Sequence, residues 1–454
     1  MKKFLAIIAI VFVLLVSYAP VSYADYSNLT VVFSKDIVTE EKIENEIIDF
    51  VYGEDATVFD NNGARVDRTA GSEGEYKAGD YLISKIKSIY GIADGSNATA
   101  QFGNYVLRYT TQEIVFQQSL LSTTYTSYNV VAVQDNVTTD DYIVIGAHYD
   151  NYYGFAVDLY SQTMSQSHGI YDNASGVSAL INLIDIMKDQ DLSYDVYYVF
   201  FGAEEAGKYG SQAFYKGFVE KYAGDMKLMI NLDSIGNGDS LYMYADEVVT
   251  PHQKYFEELS RKINETYGIG EFIKTSPLNK KIDYLTQSGD LSYTHMGLNS
   301  DNAEFMGKGN NVITFFSGAW HDSNSVGMFE SSVNNNMMHS SEDNLTAVKE
   351  KYGDVFFARI KQVVCLVANA LVQEDFVSML DESSKVSGSY VFFTNTLYAN
   401  VILLACLVIA YVTFIMLMKK HKPTAQNESL EKLRKAVLEN NIDIISDKNE
   451  KSLH

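Results

Sequence analysis

Short apolar runs alternate with stretches of helical periodicity between residues 140 and 320. The runs are apolar on both faces, rich in β-branched and aromatic residues, and span residues 142–147, 196–201, 228–232 and 312–316. Runs of this composition are typical of parallel strands that helices cover on both sides. After the first run, apolar residues repeat at the spacing of one helical face, at Val177, Leu180, Ile181, Ile184 and Met187. Residues 211–222 and 354–372 are predicted to form two further helices.

The alternation of strands and helices predicts the α/β class. Because the sequence has no internal repeat and no low-complexity linker, we expect a single globular domain. Its central sheet is predicted to be mixed but largely parallel, with helices on both faces. Ligands of such sheets bind beyond the carboxyl ends of the strands, so candidate functional residues are sought there.

The first 24 residues have the order of a secretory signal peptide. Lys2 and Lys3 precede thirteen apolar residues, 4–16, and the small-residue triplet 22–24 follows Pro20. The apolar stretch is short for a membrane span. The pattern therefore predicts export and removal of residues 1–24.

A second apolar stretch lies near the other end of the chain. Residues 397–418 are mostly apolar and long enough for a transmembrane helix, and the basic cluster 419–422 follows directly. Positive charge favours the cytoplasmic side of a membrane. We therefore expect a single-pass protein of the cell membrane, with an extracellular catalytic domain and a cytoplasmic tail that contains a short helix around residues 430–434.

Charge excludes one class of partner. The chain has 35 basic and 58 acidic residues, a formal net charge of −23 at pH 7. A surface of this sign repels phosphate backbones, so we expect no nucleic-acid partner. The two cysteines, Cys365 and Cys406, are too few to build the exported part from disulfides, which favours one large core.

Acidic and histidine side chains stand where the predicted strands and the first helix meet their loops. They are His148, Asp150, Asp172, Glu204, Glu205 and Asp233, and His339 lies far downstream of them. Singly, an Asp before a helix is commonly an N-cap, and adjacent acids after a strand are commonly solvated. Together, two imidazoles and three carboxylates would suit a pair of divalent ions, with zinc as the first choice.

These residues and their surroundings resemble the M28 family of zinc metallopeptidases, the di-zinc aminopeptidases. The stretches that carry the resemblance are 68–72, 129–132, 148–150, 172–176, 201–205, 207–211, 231–233 and 339–343. Each stretch alone is a weak indication, but their ordered set is specific. The resemblance covers residues 65–375.

With the resemblance, the chain is predicted to have six parts. They are a signal peptide (1–24), an N-terminal segment (25–64), a peptidase domain (65–375), a juxtamembrane linker (376–396), a transmembrane helix (397–418) and a cytoplasmic tail (419–454).

The resemblance also implies a metal-binding role for five residues. Asp172 is expected to bridge two divalent ions, with zinc as the first choice. His148 and Asp233 are expected to complete one site, and Glu205 and His339 the other. The fold that the resemblance implies is that of the zinc aminopeptidases.

Two further residues are expected to serve catalysis. Glu204 would be the general base that deprotonates the metal-activated water, and Asp150 would orient the imidazole of His148. In the family the bridging Asp is commonly followed by a cis peptide bond, which corresponds here to Asp172–Asn173.

The sequence departs from the family pattern in places. Asn302 stands where the family commonly has His in its Ser-Asp-His segment, and Asp301 is expected at most to line the pocket. His321 is a rival to His339 as a ligand, although its surroundings match no family motif.

The function that we expect is that of a membrane-anchored extracellular zinc aminopeptidase acting on peptides with a free N-terminus. Two alternatives from other classes stay open. One is a glutaminyl-cyclase-like acyltransferase that uses one zinc, against which the complete second site counts. The other is a non-catalytic binding ectodomain on a peptidase-like scaffold, against which the complete set of ligands and base counts.

Overall fold

The structure, a computed structural model, describes most of residues 26–381 and a short stretch near the C-terminus. The described residues are 26–59, 65–93, 99–102, 105–118, 123–136, 138–152, 167–222, 224–245, 250–268, 273–275, 281–285, 291–295, 300–306, 308–318, 337–381, 429–436 and 438. The predicted signal peptide (1–24) and the predicted transmembrane helix (397–418) lie outside them. In the part that is described, no helix is both long and apolar enough to cross a membrane.

The chain divides into two units, residues 1–386 and 387–454. In the second unit, residues 429–436 and 438 are helical, as predicted for the tail.

The strands of the first unit are β1 (Val58–Phe59), β2 (Arg65–Val66), β3 (Thr99–Phe102), β4 (Tyr105–Gln118), β5 (Thr123–Asn136), β6 (Asp141–His148), β7 (Asp195–Phe201), β8 (Asp225–Leu232), β9 (Ser240–Tyr244), β10 (Lys274–Thr275), β11 (Lys281–Leu285), β12 (Leu291–His295) and β13 (Val312–Gly318).

The helices of the first unit are α1 (Glu40–Tyr52), α2 (Glu73–Tyr90), α3 (Ser175–Met187), α4 (Tyr209–Phe214), α5 (Pro251–Tyr267), α6 (Asn302–Met306), α7 (Leu345–Tyr352) and α8 (Asp354–Leu371). Short turns of other helical types lie at Tyr26–Asn28, Ile170–Ala174 and Tyr215–Val219. Three helices begin where a hydroxyl accepts a backbone N–H of the first turn, at Thr39, Ser72 and Thr250.

Nine of the described strands form the central sheet, in the order β10-β9-β13-β8-β6-β7-β5-β4-β3. Of the eight pairings that these strands make, four are parallel and four are antiparallel. The prediction of a single α/β domain with a mixed sheet is confirmed. The sheet is less parallel than expected, because the long hairpin of β4 and β5 adds antiparallel strands on one side.

Helices cover both faces of the sheet. Along β6, Ile143 and Ile145 point to one face and belong to the large core that includes α3 and α8. Tyr142 and Val144 point to the other face and pack with α4 and the turn after it. The five residues predicted to form one helical face are buried in α3. The predicted helix 211–222 is instead divided, because α4 ends at Phe214 and a π-helical turn follows.

A strap at the N-terminus, residues 30–33, is hydrogen-bonded to two amide side chains near the end of α8. Gln373 accepts the N–H of Thr30 at 2.9 Å and donates to its carbonyl oxygen at 2.8 Å. The buried Asn369 accepts the N–H groups of Val32 and Phe33 at 2.7 and 2.9 Å. The segment before residue 65 therefore shares the core of the domain that follows it.

Gly176 allows the start of α3 to lie directly against the carboxyl end of β8. A Cβ atom at this position would overlap the carbonyl oxygen of Leu232 and the amide of Asn173. We expect Gly176→Ala to lower the free energy of unfolding by about 1–3 kcal/mol, measured by denaturant titration, because overpacking forces the helix away. Gly79→Ala in α2 is the control, since its methyl group would meet Tyr149 at an ordinary 3.4 Å. Equal stabilities of the two variants would contradict this prediction.

Candidate metal centre

The carboxyl ends of three parallel strands bring the candidate residues to one edge of the sheet. His148 is the last residue of β6, Asp233 follows β8, and residues 204–205 lie in the turn after β7. These strands are neighbours in the order β8-β6-β7, so their ends meet. Asp172 comes from the turn before α3, and His339 from the loop before α7.

Asp172 lies between the two histidines and contacts each of them with a different oxygen. Its Oδ1 lies 3.1 Å from Nε2 of His148, and its Oδ2 lies 3.0 Å from Nε2 of His339. Asp233 approaches the same nitrogen of His148 at 3.5 Å, and Glu205 that of His339 at 3.3 Å. The result is two groups of three side chains that share Asp172.

Each group has the donors and the compactness of a divalent metal site. It offers one imidazole nitrogen and two carboxylate oxygens, and these atoms lie within 4.8 Å of one another. A mixed nitrogen and oxygen set of this kind suits zinc. All five residues predicted as metal ligands are thus brought together, whereas the rival His321 lies outside the described residues.

The charges at the centre also favour a bound cation. Burial raises the pKa of Glu204 well above its usual range, and the nearby carboxylates of Asp301, Glu205 and Asp233 act in the same direction. Burial raises the pKa of Glu205 to about 7, against the opposing charge of His339. The centre therefore holds more carboxylates than its own imidazoles neutralise. Bound divalent ions would supply the missing positive charge.

The histidines respond to the same carboxylates. Burial opposes a charge on His148, but its contacts with Asp150, Asp172 and Asp233 raise its pKa well above its usual range. Burial likewise opposes a charge on His339, but Glu205 and Asp172 raise its pKa to about 12. A metal ion binds imidazole in its neutral form, so binding at this centre is expected to release protons.

The model of Peptidase family M28 matches residues 129–364, which is more than half of the chain and includes every predicted metal ligand. The chain belongs to peptidase family M28.

Two curated relatives of this M28 chain match only part of it. Aminopeptidase YwaD of Bacillus subtilis is 26% identical over 152 residues, 32% of this chain and 30% of the relative. The alkaline phosphatase isozyme conversion protein of Escherichia coli is 30% identical over 146 residues, 30% of this chain and 41% of the relative. The chain thus spans less than half the length of these relatives. Among solved structures, BSAP, a zinc aminopeptidase from Bacillus subtilis, has 15% identity and a TM-score of 0.47, covering 76% of this chain and 97% of that one.

In this M28 centre, Asp150 contacts both His148 and the turn that carries the two glutamates. Its backbone oxygen lies 3.2 Å from Nδ1 of His148, and its carboxylate lies 3.6 Å from the same atom. The carboxylate oxygens accept the N–H groups of Glu204 and Glu205 at 3.0 and 3.1 Å. Besides lying beside His148 as expected, the buried Asp150 therefore holds the Glu204–Glu205 turn.

Glu75 supports the same turn from behind, and the sequence reasoning missed it. Its buried carboxylate accepts the N–H of Ala203 at 3.1 Å and the hydroxyl of Ser127 at 2.6 Å. Burial raises the pKa of Glu75 to about 8, and the charge of Asp150 adds to the effect. Ala203 has φ 53°, in the left-handed region that non-glycine residues seldom adopt. The available signal was the capping sequence of Ser72 and Glu75, which marks the start of α2.

Tyr152 is a second contact that the motifs did not indicate. Its ring stacks on the imidazole of His339, with centroids 4.0 Å apart and planes at 8°. The side chain of His339 is 35% exposed. The stacked ring therefore covers one face of the partly exposed imidazole.

Asp301 and Asn302, in the segment that departs from the family pattern, are both buried. Asn302 is buried and donates to Oγ1 of Thr314 at 2.9 Å, which ties α6 to β13 rather than adding a group to the centre. Asp301 is fully buried, and burial raises its pKa to about 7. The Asp172–Asn173 peptide bond is cis, as the family pattern implies.

Proposed function

We propose that this M28 chain is a zinc-dependent aminopeptidase that removes residues from the free N-terminus of peptides. The observation that carries the proposal is the single carboxylate of Asp172, shared by two histidine-containing donor groups with Glu204 beside them. Membership of peptidase family M28 supports hydrolysis of peptide bonds. The aminopeptidase YwaD, by its name, supports action at the N-terminus.

The chain offers ligands for two ions, with zinc as the first choice. His148, Asp172 and Asp233 would hold one ion, and Asp172, Glu205 and His339 the other. Bound divalent ions would polarise the scissile carbonyl and lower the pKa of the attacking water.

Glu204 is assigned the proton transfer. It belongs to neither donor group, yet its carboxyl group lies within electrostatic reach of His148, Glu205 and Asp233. In its ionised form it can take a proton from the attacking water and deliver it to the leaving amine. Asp150 fixes the backbone of Glu204 and so aims its side chain at the centre.

We also propose that the chain is a single-pass membrane protein with an extracellular catalytic domain. The apolar stretch 397–418 and the basic cluster 419–422 support a single membrane span with residues 419–454 in the cytoplasm. The signal-peptide pattern of residues 1–24 supports an extracellular catalytic domain.

Protease treatment of intact cells tests this orientation. The added protease should degrade the catalytic domain, while an epitope tag attached at residue 454 stays protected. Degradation of that epitope would contradict the orientation.

Substrate end-groups distinguish the proposed activity from its alternatives. The full chain in detergent with zinc is incubated with matched peptides that carry a free or an acetylated N-terminus, and released amino acids are identified. We expect release from the N-terminus of the free peptides only. Release from the acetylated peptides would indicate a different specificity. Cyclisation of an N-terminal glutamine without release of amino acids would indicate the acyltransferase. If no peptide is altered, the result would favour a binding ectodomain.

A further inference from the structure

Asp343 is a fully buried acid in the loop between His339 and α7. It belongs to the motif 339–343, but neither the donor groups nor the proton transfer uses it. An acid buried this deeply is costly unless its oxygens accept hydrogen bonds, so its partners indicate what it does.

Those partners lie in the segment that carries the shared ligand. Oδ1 of Asp343 accepts the N–H of Tyr171 at 2.7 Å, and Oδ2 accepts the N–H of Asp172 at 3.2 Å. The backbone oxygen of Asp343 accepts the N–H of His168 at 3.0 Å, and Ser167 Oγ lies 3.4 Å from Oδ2. One acid thus holds the segment 167–172 at both ends.

The same acid is tied to His339 through a tight turn. Its N–H donates to the carbonyl oxygen of Ser340 at 3.1 Å, and the hydroxyl of Ser340 donates to that of Met337 at 2.7 Å. His339 has φ 59°, in the left-handed region, so the turn fixes an uncommon backbone conformation. A continuous series of backbone and hydrogen-bond contacts therefore runs from His339 through Asp343 to Asp172.

We propose that Asp343 is a positioning residue that sets the separation of Asp172 and His339. These two residues supply two of the three donors of the second site, whose third is Glu205. The ion at the His148 site depends on Asp172 as well, but its other two ligands, the last residue of β6 and the residue after β8, are held by the sheet rather than by Asp343. Asp343 therefore governs the affinity of the second ion more than that of the first. This inference rests on the proposed two-ion centre.

Asp343→Asn tests the inference with little change of shape. An asparagine keeps one acceptor oxygen but presents an N–H₂ group to the second backbone N–H, so one of the two hydrogen bonds is lost. Loss of a residue that orients metal ligands typically lowers metal affinity about 10–100-fold. We expect the second ion to bind about 10–100-fold more weakly, while the first changes much less.

Metal content provides a readout that does not depend on activity. The full chain is dialysed against a series of buffered free zinc concentrations, and zinc per chain is measured by elemental analysis. Hydrolysis of free peptides is followed at each concentration. The expected result is a displaced second binding step, with activity that returns when free zinc is raised. A merely unstable variant would instead weaken both binding steps together, because unfolding removes both sites.

Asn344→Ala is the matched control in the same loop. Asn344 caps α7 by accepting the N–H of Ala347 at 3.0 Å, so its removal loosens the loop without touching the segment 167–172. We expect lower stability and unchanged binding steps. Ser340→Ala is a second test variant for the case in which Asp343→Asn does not fold, because it weakens the same turn. Ser340→Ala should also weaken binding of the second zinc ion, but by less than Asp343→Asn does.

The outcomes separate the inference from the proposed function. If the unmodified chain binds two ions and cleaves free peptides while Asp343→Asn binds both ions as tightly, the inference is overturned and the function stands. Equal weakening of both ions, or a loss that excess zinc does not reverse in either test variant, also overturns it. An unmodified chain that binds fewer than two ions overturns the inference, and one that also leaves free peptides uncleaved overturns the proposed function as well.

Discussion

Glu204→Gln is expected to lower kcat by about 10²–10⁴-fold, the usual contribution of a positioned general base. Glutamine keeps the size of the side chain but cannot accept the proton of the attacking water. Because Glu204 belongs to neither donor group, zinc content should stay at that of the unmodified chain. Steady-state kinetics on a free-N-terminus peptide and elemental analysis of the same preparation measure the two quantities.

Glu220→Gln is the control for this result. Glu220 follows the turn after α4, is 47% exposed, and lies 3.6 Å from Lys308, so its substitution removes an equal charge at the surface. Its kcat should match that of the unmodified chain. If Glu204→Gln retained full activity, the proton would pass through another group and the assignment of Glu204 would be wrong.

Asp172→Ala is expected to remove both ions, whereas Asp233→Ala removes only one. Asp172 gives one oxygen to each donor group, but Asp233 contacts only the His148 side. Loss of the shared carboxylate leaves each group with two donors, fewer than the three protein ligands that catalytic zinc sites commonly have. Activity of Asp172→Ala should fall to background, and added zinc should not restore it.

Zinc per chain at matched free zinc decides between these expectations. A chelator should remove the activity of the unmodified chain, and added zinc should return it, which shows that the assay reports the metal. Retention of two ions by Asp172→Ala would mean that the two groups do not share this ligand. Equal losses in Asp172→Ala and Asp233→Ala would mean that the sites fill only together.

The centre of the fold could be predicted because its strands are buried on both faces. A strand of this kind is a continuous apolar run, and the run 142–147 corresponds to β6 and 196–201 to β7 within one residue at each end. The start of β8 was placed late, because its first residues, Asp225 and Met226, are not fully buried and lack the apolar pattern.

The outer part of the sheet was not predicted, for a related reason. Much of β4 lies at the surface, where Val115 is 65% exposed, so polar and apolar residues mix along it. Its place in the sheet comes from pairing with β5, in a register that puts Tyr105 opposite Asn136. The periodicity of polar and apolar residues in one strand does not indicate which other strand it pairs with.

The candidate site shows the same division. The ordered motifs identified the side chains that come together, because those motifs resemble the M28 family and their residue types suit metal binding. Glu75, Tyr152 and the second role of Asp150 were missed. Glu75 and Asp150 act on backbone N–H groups, which every residue except proline has, and Tyr152 acts by stacking. Only Glu75 has a sequence signal, its capping pattern with Ser72, and that pattern indicates the start of a helix rather than a contact with the turn.

The N-terminal strap sets an order of events during synthesis. Val32 is hydrogen-bonded to Asn369, 337 positions later in the chain, and Thr30 to Gln373, 343 positions later. The backbone groups of the strap can therefore form these hydrogen bonds only after almost all of the domain has been synthesised. A nascent chain that stops before α8 leaves those groups to water, so closure of the strap reports that the whole domain has been made.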